Sequence, residues 1–135
     1  MKKFLIPIFL LLWCLSACTT KPADELEGSS WQLVSLGDQL PLNGTTLTIS
    51  FKEGQAGGSS GCNTFSTGYQ VEDGQIHFGE IAVTLMACMD DGVMEQEQAY
   101  LNFLQSVTGY SLAEGKLSLY RPDGSALIYM PGETQ

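Results

Sequence analysis

Basic residues are scarce in this chain. Its 135 residues hold six Lys and Arg against 15 Asp and Glu, a formal charge of −9 with the one His neutral. Nucleic-acid binding is dominated by Lys and Arg contacts to phosphate, so this balance argues against such a partner. It argues equally against an electrostatic contact with an anionic membrane. The acids are scattered without a long block, which describes a solvated surface rather than an acidic recognition tail. One histidine and no C-x-x-C spacing leave no zinc-type ligand set, and no cofactor motif is present. The glycine run Gly57 to Gly61 is followed by Cys62-Asn63 where a phosphate-binding loop needs Lys-Ser/Thr. Asp90-Asp91 lacks the spaced oxygens of a calcium loop. No apolar run reaches the roughly 20 residues that span a bilayer.

What is present starts at the N-terminus. Lys2 and Lys3 precede an apolar run from Phe4 to Trp13, and Leu15-Ser16-Ala17-Cys18 then places small residues before a cysteine. That order is a bacterial secretory signal of the lipoprotein type. Cleavage before Cys18 leaves its thiol as the lipid-attachment site, and each buried acyl methylene adds about 0.8 kcal/mol of membrane affinity. The alternative is a plain secretory signal without lipid. Cys14 follows Trp13, too large for the cleavage position, and leaves with the signal. Losing Lys2 and Lys3 takes the formal charge from −9 to −11. Thr19 follows Cys18, and lipoproteins like this at that position in diderm bacteria go to the outer membrane, since inner-membrane retention usually involves Asp there. The expected organisation is a signal peptide over 1–17, a tether over 18–28, one β domain over 29–131 and a tail over 132–135.

From Trp31 the pattern is β. Trp31 to Leu36 and Thr45 to Phe51 alternate apolar and polar residues, the period of half-buried strands. Further strands are expected at Gly68–Val71, Gln75–Phe78, Val83–Met86, Tyr110–Leu112, Lys116–Tyr120 and Ala126–Met130. Glu72-Asp73-Gly74, Glu114-Gly115 and Pro122-Asp123-Gly124 supply the positive-φ residues of tight hairpins, so neighbours should be antiparallel. Val93 to Val107 is free of Gly and Pro and sets Val93, Met94, Tyr100, Leu101, Phe103, Leu104 and Val107 on one helical face. Asp90 and Asp91 are the expected N-cap. The fold class is mainly β: a small, strongly curved antiparallel sheet or partly open β-barrel with one covering α-helix. Periodicity does not decide whether the sheet closes.

Cys62 and Cys88 remain after the lipidated cysteine. An extracytoplasmic destination favours a disulfide between them, with two buried thiols or a redox or metal pair as the alternatives. His77 sits on an alternating strand, where a half-exposed residue is a more ordinary role than a ligand. Gly57-Gly58-Ser59-Ser60-Gly61 matches G-x-S-x-G, but a nucleophile elbow requires an α/β-hydrolase sheet that this chain is too small to build. Ser59, Asp73 and His77 follow in triad order, yet Asp73-Gly74 reads as a hairpin turn. Glu97 falls inside the apolar stripe of the helix. An unpartnered buried carboxylate is too costly, so Glu97 either reaches water or accepts hydrogen bonds from the Gly61 to Thr64 turn, where Asn63 also bonds neighbouring main chain.

Gly61-Cys62-Asn63-Thr64-Phe65, Phe78-Gly79, Thr84-Leu85-Met86-Ala87-Cys88 and Met94-Glu95-Gln96-Glu97-Gln98-Ala99-Tyr100-Leu101 together resemble the META domain, or HslJ-like, family. Trp31-Gln32-Leu33 is similar to its opening strand, and the resemblance runs from about Gly28 to Tyr129. It implies a compact, mainly β domain with one helix, in exported and lipid-anchored bacterial proteins of envelope and stress contexts. No established reaction comes with it. The expectation is a non-enzymatic lipoprotein of the cell envelope, held at the outer membrane through Cys18 and meeting an envelope protein or component. The alternative is a small-ligand-binding barrel or weak hydrolase with a cleft near Ser59, Asn63 and Glu97.

Overall fold

A computed structural model describes residues 24–132, so Cys18, the signal segment and most of the tether lie outside the described residues. The strands are β1 (Ser30–Leu36), β2 (Thr48–Lys52), β3 (Gln55–Ser59), β4 (Thr64–Glu72), β5 (Gln75–Phe78) and β6 (Ala82–Val83). Helix α1 (Val93–Gln105) follows, then β7 (Gly109–Ala113), β8 (Lys116–Tyr120) and β9 (Ala126–Pro131).

Local chemistry sets the hairpins. Glu53-Gly54, Asp73-Gly74 and Glu114-Gly115 each place two successive residues at positive φ, between 51° and 76°. That is the backbone of a two-residue turn whose twist matches the flanking strands. These turns join β2 to β3, β4 to β5 and β7 to β8, with Lys52 opposite Gln55, Glu72 opposite Gln75 and Ala113 opposite Lys116. Alternation then sends Ile49, Phe51, Leu117, Leu119, Leu127 and Tyr129 inward, all buried.

The curved antiparallel sheet anticipated from the sequence closes on itself. Strand order runs β3-β2-β1-β9-β8-β7-β5-β4, and β4 pairs back onto β3 from Gln55–Gly68 to Ser59–Thr64, giving an eight-stranded barrel. Closure leaves no edge among those eight strands. Strand β6 is an appendage on β4, through Phe65–Val83 and Ser66–Ala82. The thinnest seam lies between β5 and β7, which share the single pair Gln75–Gly109.

Three segments depart from the sequence expectation. Strand β3 covers Gln55–Ser59, where no strand was expected. At Gly58 a Cβ would collide with the Thr48 carbonyl, and at Gly57 it would lie 2.7 Å from the Phe65 carbonyl oxygen. The glycines let three strands approach at a tight bend of the barrel. Of the expected strand Val83–Met86 only Val83 belongs to β6; the Thr84 N–H still reaches the Thr64 carbonyl, and beyond it the Met86 N–H turns to Asn63 Oδ1. The helix N-cap is Gly92 at φ 80°, with no side-chain cap, so neither Asp90 nor Asp91 fills that role. Asp90 contributes its carbonyl, 3.3 Å from the Val93 N–H.

Helix α1 seats its apolar face in the core beside one end of the barrel. The Tyr100 ring meets Phe65 edge-on at 5.8 Å, and its hydroxyl accepts from Tyr129 Oη at 3.1 Å. Leu104 and Val107 extend the buried face, whereas Met94, expected inside, is exposed.

Candidate functional site

Where the first turns of α1 meet the loop between β3 and β4, the barrel buries its densest group of polar side chains. Ser60, Asn63, Gln96 and Glu97 are all buried there, Glu97 with 5% of its surface exposed. Helical spacing turns Glu97 toward the loop, and the loop turns its hydrogen-bond donors toward Glu97. Oε1 of Glu97 accepts from Asn63 Nδ2 at 2.7 Å, and Oε2 accepts from the Asn63 main-chain N–H at 2.7 Å. Ser60 Oγ lies 2.6 Å from Oε2 and 2.8 Å from the Asn63 carbonyl oxygen. Its single proton favours the charged acceptor. The Asn63 carbonyl still receives the Ser60 main-chain N–H at 2.8 Å.

Asn63 spends its whole side-chain amide here. Besides Glu97, Nδ2 donates to the Met86 carbonyl at 3.2 Å, while Oδ1 accepts from Met86 N–H at 2.7 Å and Thr84 Oγ1 at 2.9 Å. Two donors and two lone pairs are therefore all matched. On the other flank of Glu97, Gln96 accepts from Leu42 N–H at 2.7 Å and donates to Thr45 Oγ1 at 3.0 Å, binding α1 to the loop between β1 and β2. No buried side-chain polar atom among the described residues lacks a partner.

Burial pushes the Glu97 carboxyl up, and hydrogen bonds from Ser60, Asn63 and the Cys62 main chain pull it down. The hydrogen bonds win, and the group sits below its ordinary 4.5. A carboxylate held this way is a stable anion. It is not poised to exchange a proton near neutral pH.

Cys62, next to Asn63, is joined to Cys88 by a disulfide with Cα atoms 5.9 Å apart. The bond clamps the segment after β6 onto the β3–β4 loop, as the hydrogen bonds of Asn63 do.

Of the residues singled out from sequence, Asn63 and Glu97 meet and Ser59 does not join them. Ser59 ends β3, where its Oγ accepts the Gly61 N–H at 3.2 Å. Ser60 is the hydroxyl at the carboxylate, and Gln96 is the second polar residue of the helix face. Neither was expected. Gln96 had a readable sign, since it falls on the same helical face as Val93, Tyr100 and Phe103. His77 is exposed on β5, opposite Gln70, and Asp73 occupies a turn at the far end of the barrel from Ser59. No triad forms. Among the described residues no group of three His, Cys, Asp or Glu is placed to hold a metal.

An open depression of about 960 Å³ lies at that far end, lined by Asp24, Glu25, Tyr69, Glu72, Asp73 and Tyr110 among others. Tyr69 donates to Asp24 at 2.5 Å. Burial and then that carboxylate hold the Tyr69 phenol far above its ordinary 10.0. Ser59, Asn63 and Glu97 do not line this depression.

A small closed antiparallel barrel, with one helix latched to a disulfide-braced loop through a buried carboxylate, defines the class. The META domain model matches residues 24–134, and the chain belongs to the META domain family. It is similar to a solution structure of a protein from Burkholderia xenovorans, with 29% identity and a TM-score of 0.67 over 81% of this chain and 85% of that one. A second NMR structure shares the fold, with 23% identity and a TM-score of 0.65 over 78% of this chain and 91% of that one. No curated protein matches the chain.

Proposed function

We propose that this META domain protein is a lipid-anchored component of the bacterial envelope. It is tethered through Cys18 to the outer membrane, faces the periplasm, and acts without catalysis as an envelope-stress interaction or structural module. The observation that carries the non-catalytic reading is the saturation of the Ser60–Asn63–Glu97 cluster. Glu97, the buried carboxylate of the domain, accepts three hydrogen bonds of 2.6 to 2.7 Å and is held below its ordinary 4.5. Ser59 Oγ accepts the Gly61 N–H at 3.2 Å. A hydrolase needs a nucleophile beside a base; Ser60 and Glu97 are bound up with Asn63, and Ser59 has neither Glu97 nor His77 as a hydrogen-bond partner. The anchor is supported by Leu15-Ser16-Ala17-Cys18 after its basic and apolar segments.

Cell fractionation with intact-mass measurement tests the reading. Wild-type chain should be found in membranes, starting at Cys18 and carrying acyl chains, and Cys18→Ala should appear unacylated in the soluble periplasmic fraction. Recovery of unmodified wild-type chain from the periplasm would overturn the anchor. Any turnover abolished by Ser59→Ala would overturn the non-catalytic role.

A further inference from the structure

The loop that Asn63 and the disulfide clamp also carries the most exposed large apolar side chains of the domain. Leu85 is 95% exposed and Met89 is 90% exposed, with Met86 and Met94 exposed beside them in sequence and across the start of α1. Leu42 is exposed on the other flank, its Cδ1 3.3 Å from where a Cβ on Gly92 would stand. Exposed large apolar side chains gathered in one short segment mark a candidate contact surface.

This surface is held in place. Thr84 N–H donates to the Thr64 carbonyl at 3.0 Å, and Met86 bonds Asn63 through both its N–H and its carbonyl. Leu85 therefore stands between two pinned residues, and Cys88 is tied to Cys62 just beyond. A fixed main chain that points leucine and methionine into water is pre-organised for a contact. Methionine adds a soft, adaptable surface of the kind found where binding sites accept varied apolar partners.

Charge selects the occupant. Segments 37–47 and 84–96 contain Asp38, Asp90, Asp91 and Glu95 and no Lys or Arg. A second copy docked face to face would set these carboxylates against their own kind. A membrane is disfavoured by charge and by the anchor. Residues 24–28 lie against the Glu53–Gly54 turn, with Glu53 N–H donating to Glu27 at 2.7 Å and Gly28 N–H to the Phe51 carbonyl at 2.8 Å. That is the end of the barrel opposite the loop between β3 and β4.

We infer that the Leu85–Met86–Met89–Met94 surface docks a cationic, amphipathic segment of another polypeptide, with an apolar stripe on the methionines and leucine and Lys or Arg against Asp90, Asp91 and Glu95. This rests on the interaction-module reading above and names the partner chemistry.

The test uses the mature chain carrying Cys18→Ala and a synthetic helix-forming Leu/Lys peptide, followed by NMR. Its controls are a Ser/Lys peptide of equal charge, a Leu/Glu peptide with the same apolar stripe, and phosphatidylglycerol vesicles. The Leu/Lys peptide should shift resonances of residues 84–94 and bind more tightly than either control. Leu85→Ser with Met89→Ser should weaken it at least about tenfold while leaving the disulfide and the core resonances unchanged. No binding, unchanged affinity in the double variant, shifts confined to the Asp24 and Asp73 end, equal binding of the Ser/Lys peptide, preferential vesicle binding, or dimerisation through this face would each overturn the inference. None of these results bears on acylation of Cys18, which fractionation decides separately.

Discussion

Glu97 grips Asn63 twice, taking the main-chain N–H on one oxygen and the side-chain amide on the other, each at 2.7 Å. Since Asn63 also holds Thr84 and Met86, this contact ties the helix, the β3–β4 loop and the segment after β6 into one unit. Glu97→Gln replaces one acceptor oxygen with an N–H donor facing other donors. The expected loss is about 2 to 4 kcal/mol in denaturant unfolding. The pH dependence should change as well. Because the folded state holds the carboxyl below its ordinary 4.5, wild-type stability from this group is complete above that value and is lost as pH falls through the lowered one. Glu97→Gln should lack that component of the acid-side decline, as unfolding curves from pH 3 to 7 would show.

The Cys62–Cys88 bond closes a 26-residue separation. Replacing both cysteines by serine should cost about 3 kcal/mol on the loop-entropy account. Hydrogen exchange should quicken in residues 84–92 and stay slow in β8, whose leucines lie in the core. An equal rise in both segments would show that the bond supports the whole barrel rather than the loop.

Gly58→Ala places a Cβ against the Thr48 carbonyl, which belongs to the neighbouring strand and cannot turn aside as a side chain would. A loss of more than about 2 kcal/mol is expected. Gly109→Ala meets nothing within 4 Å and serves as the control. Thermal unfolding of the two variants side by side reads the difference.

Legibility of the fold in the sequence followed how local each cause was. Strand β8 was readable to its ends, because Lys116 to Tyr120 alternates and follows an acid-glycine turn. Strand β3 was hidden, since Ala56, Gly57 and Gly58 offer no alternation and their role appears only when Thr48 and Phe65 are brought close. The turn before β3, Glu53-Gly54, was the same acid-glycine pair that marked Asp73-Gly74 and Glu114-Gly115, and it was the overlooked sign. Barrel closure depends on β4 pairing with both β3 and β5, a choice among distant strands that periodicity does not encode. At the site, an ionisable residue inside an apolar helical stripe demanded a partner, which pointed to Glu97 and to the turn holding Asn63. The choice of Ser60 over Ser59 depends on which side of the bend each hydroxyl faces, and adjacent serines look alike in sequence.

Carboxyl ¹³C NMR of the folded protein measures directly whether Glu97 is a structural anion rather than an acid or base. A Glu97 resonance that titrates below the ordinary 4.5 and moves together with the Asn63 side-chain amide is the predicted result. A titration above that value, toward neutral pH, would contradict the latch and place a proton-exchanging group in the cluster.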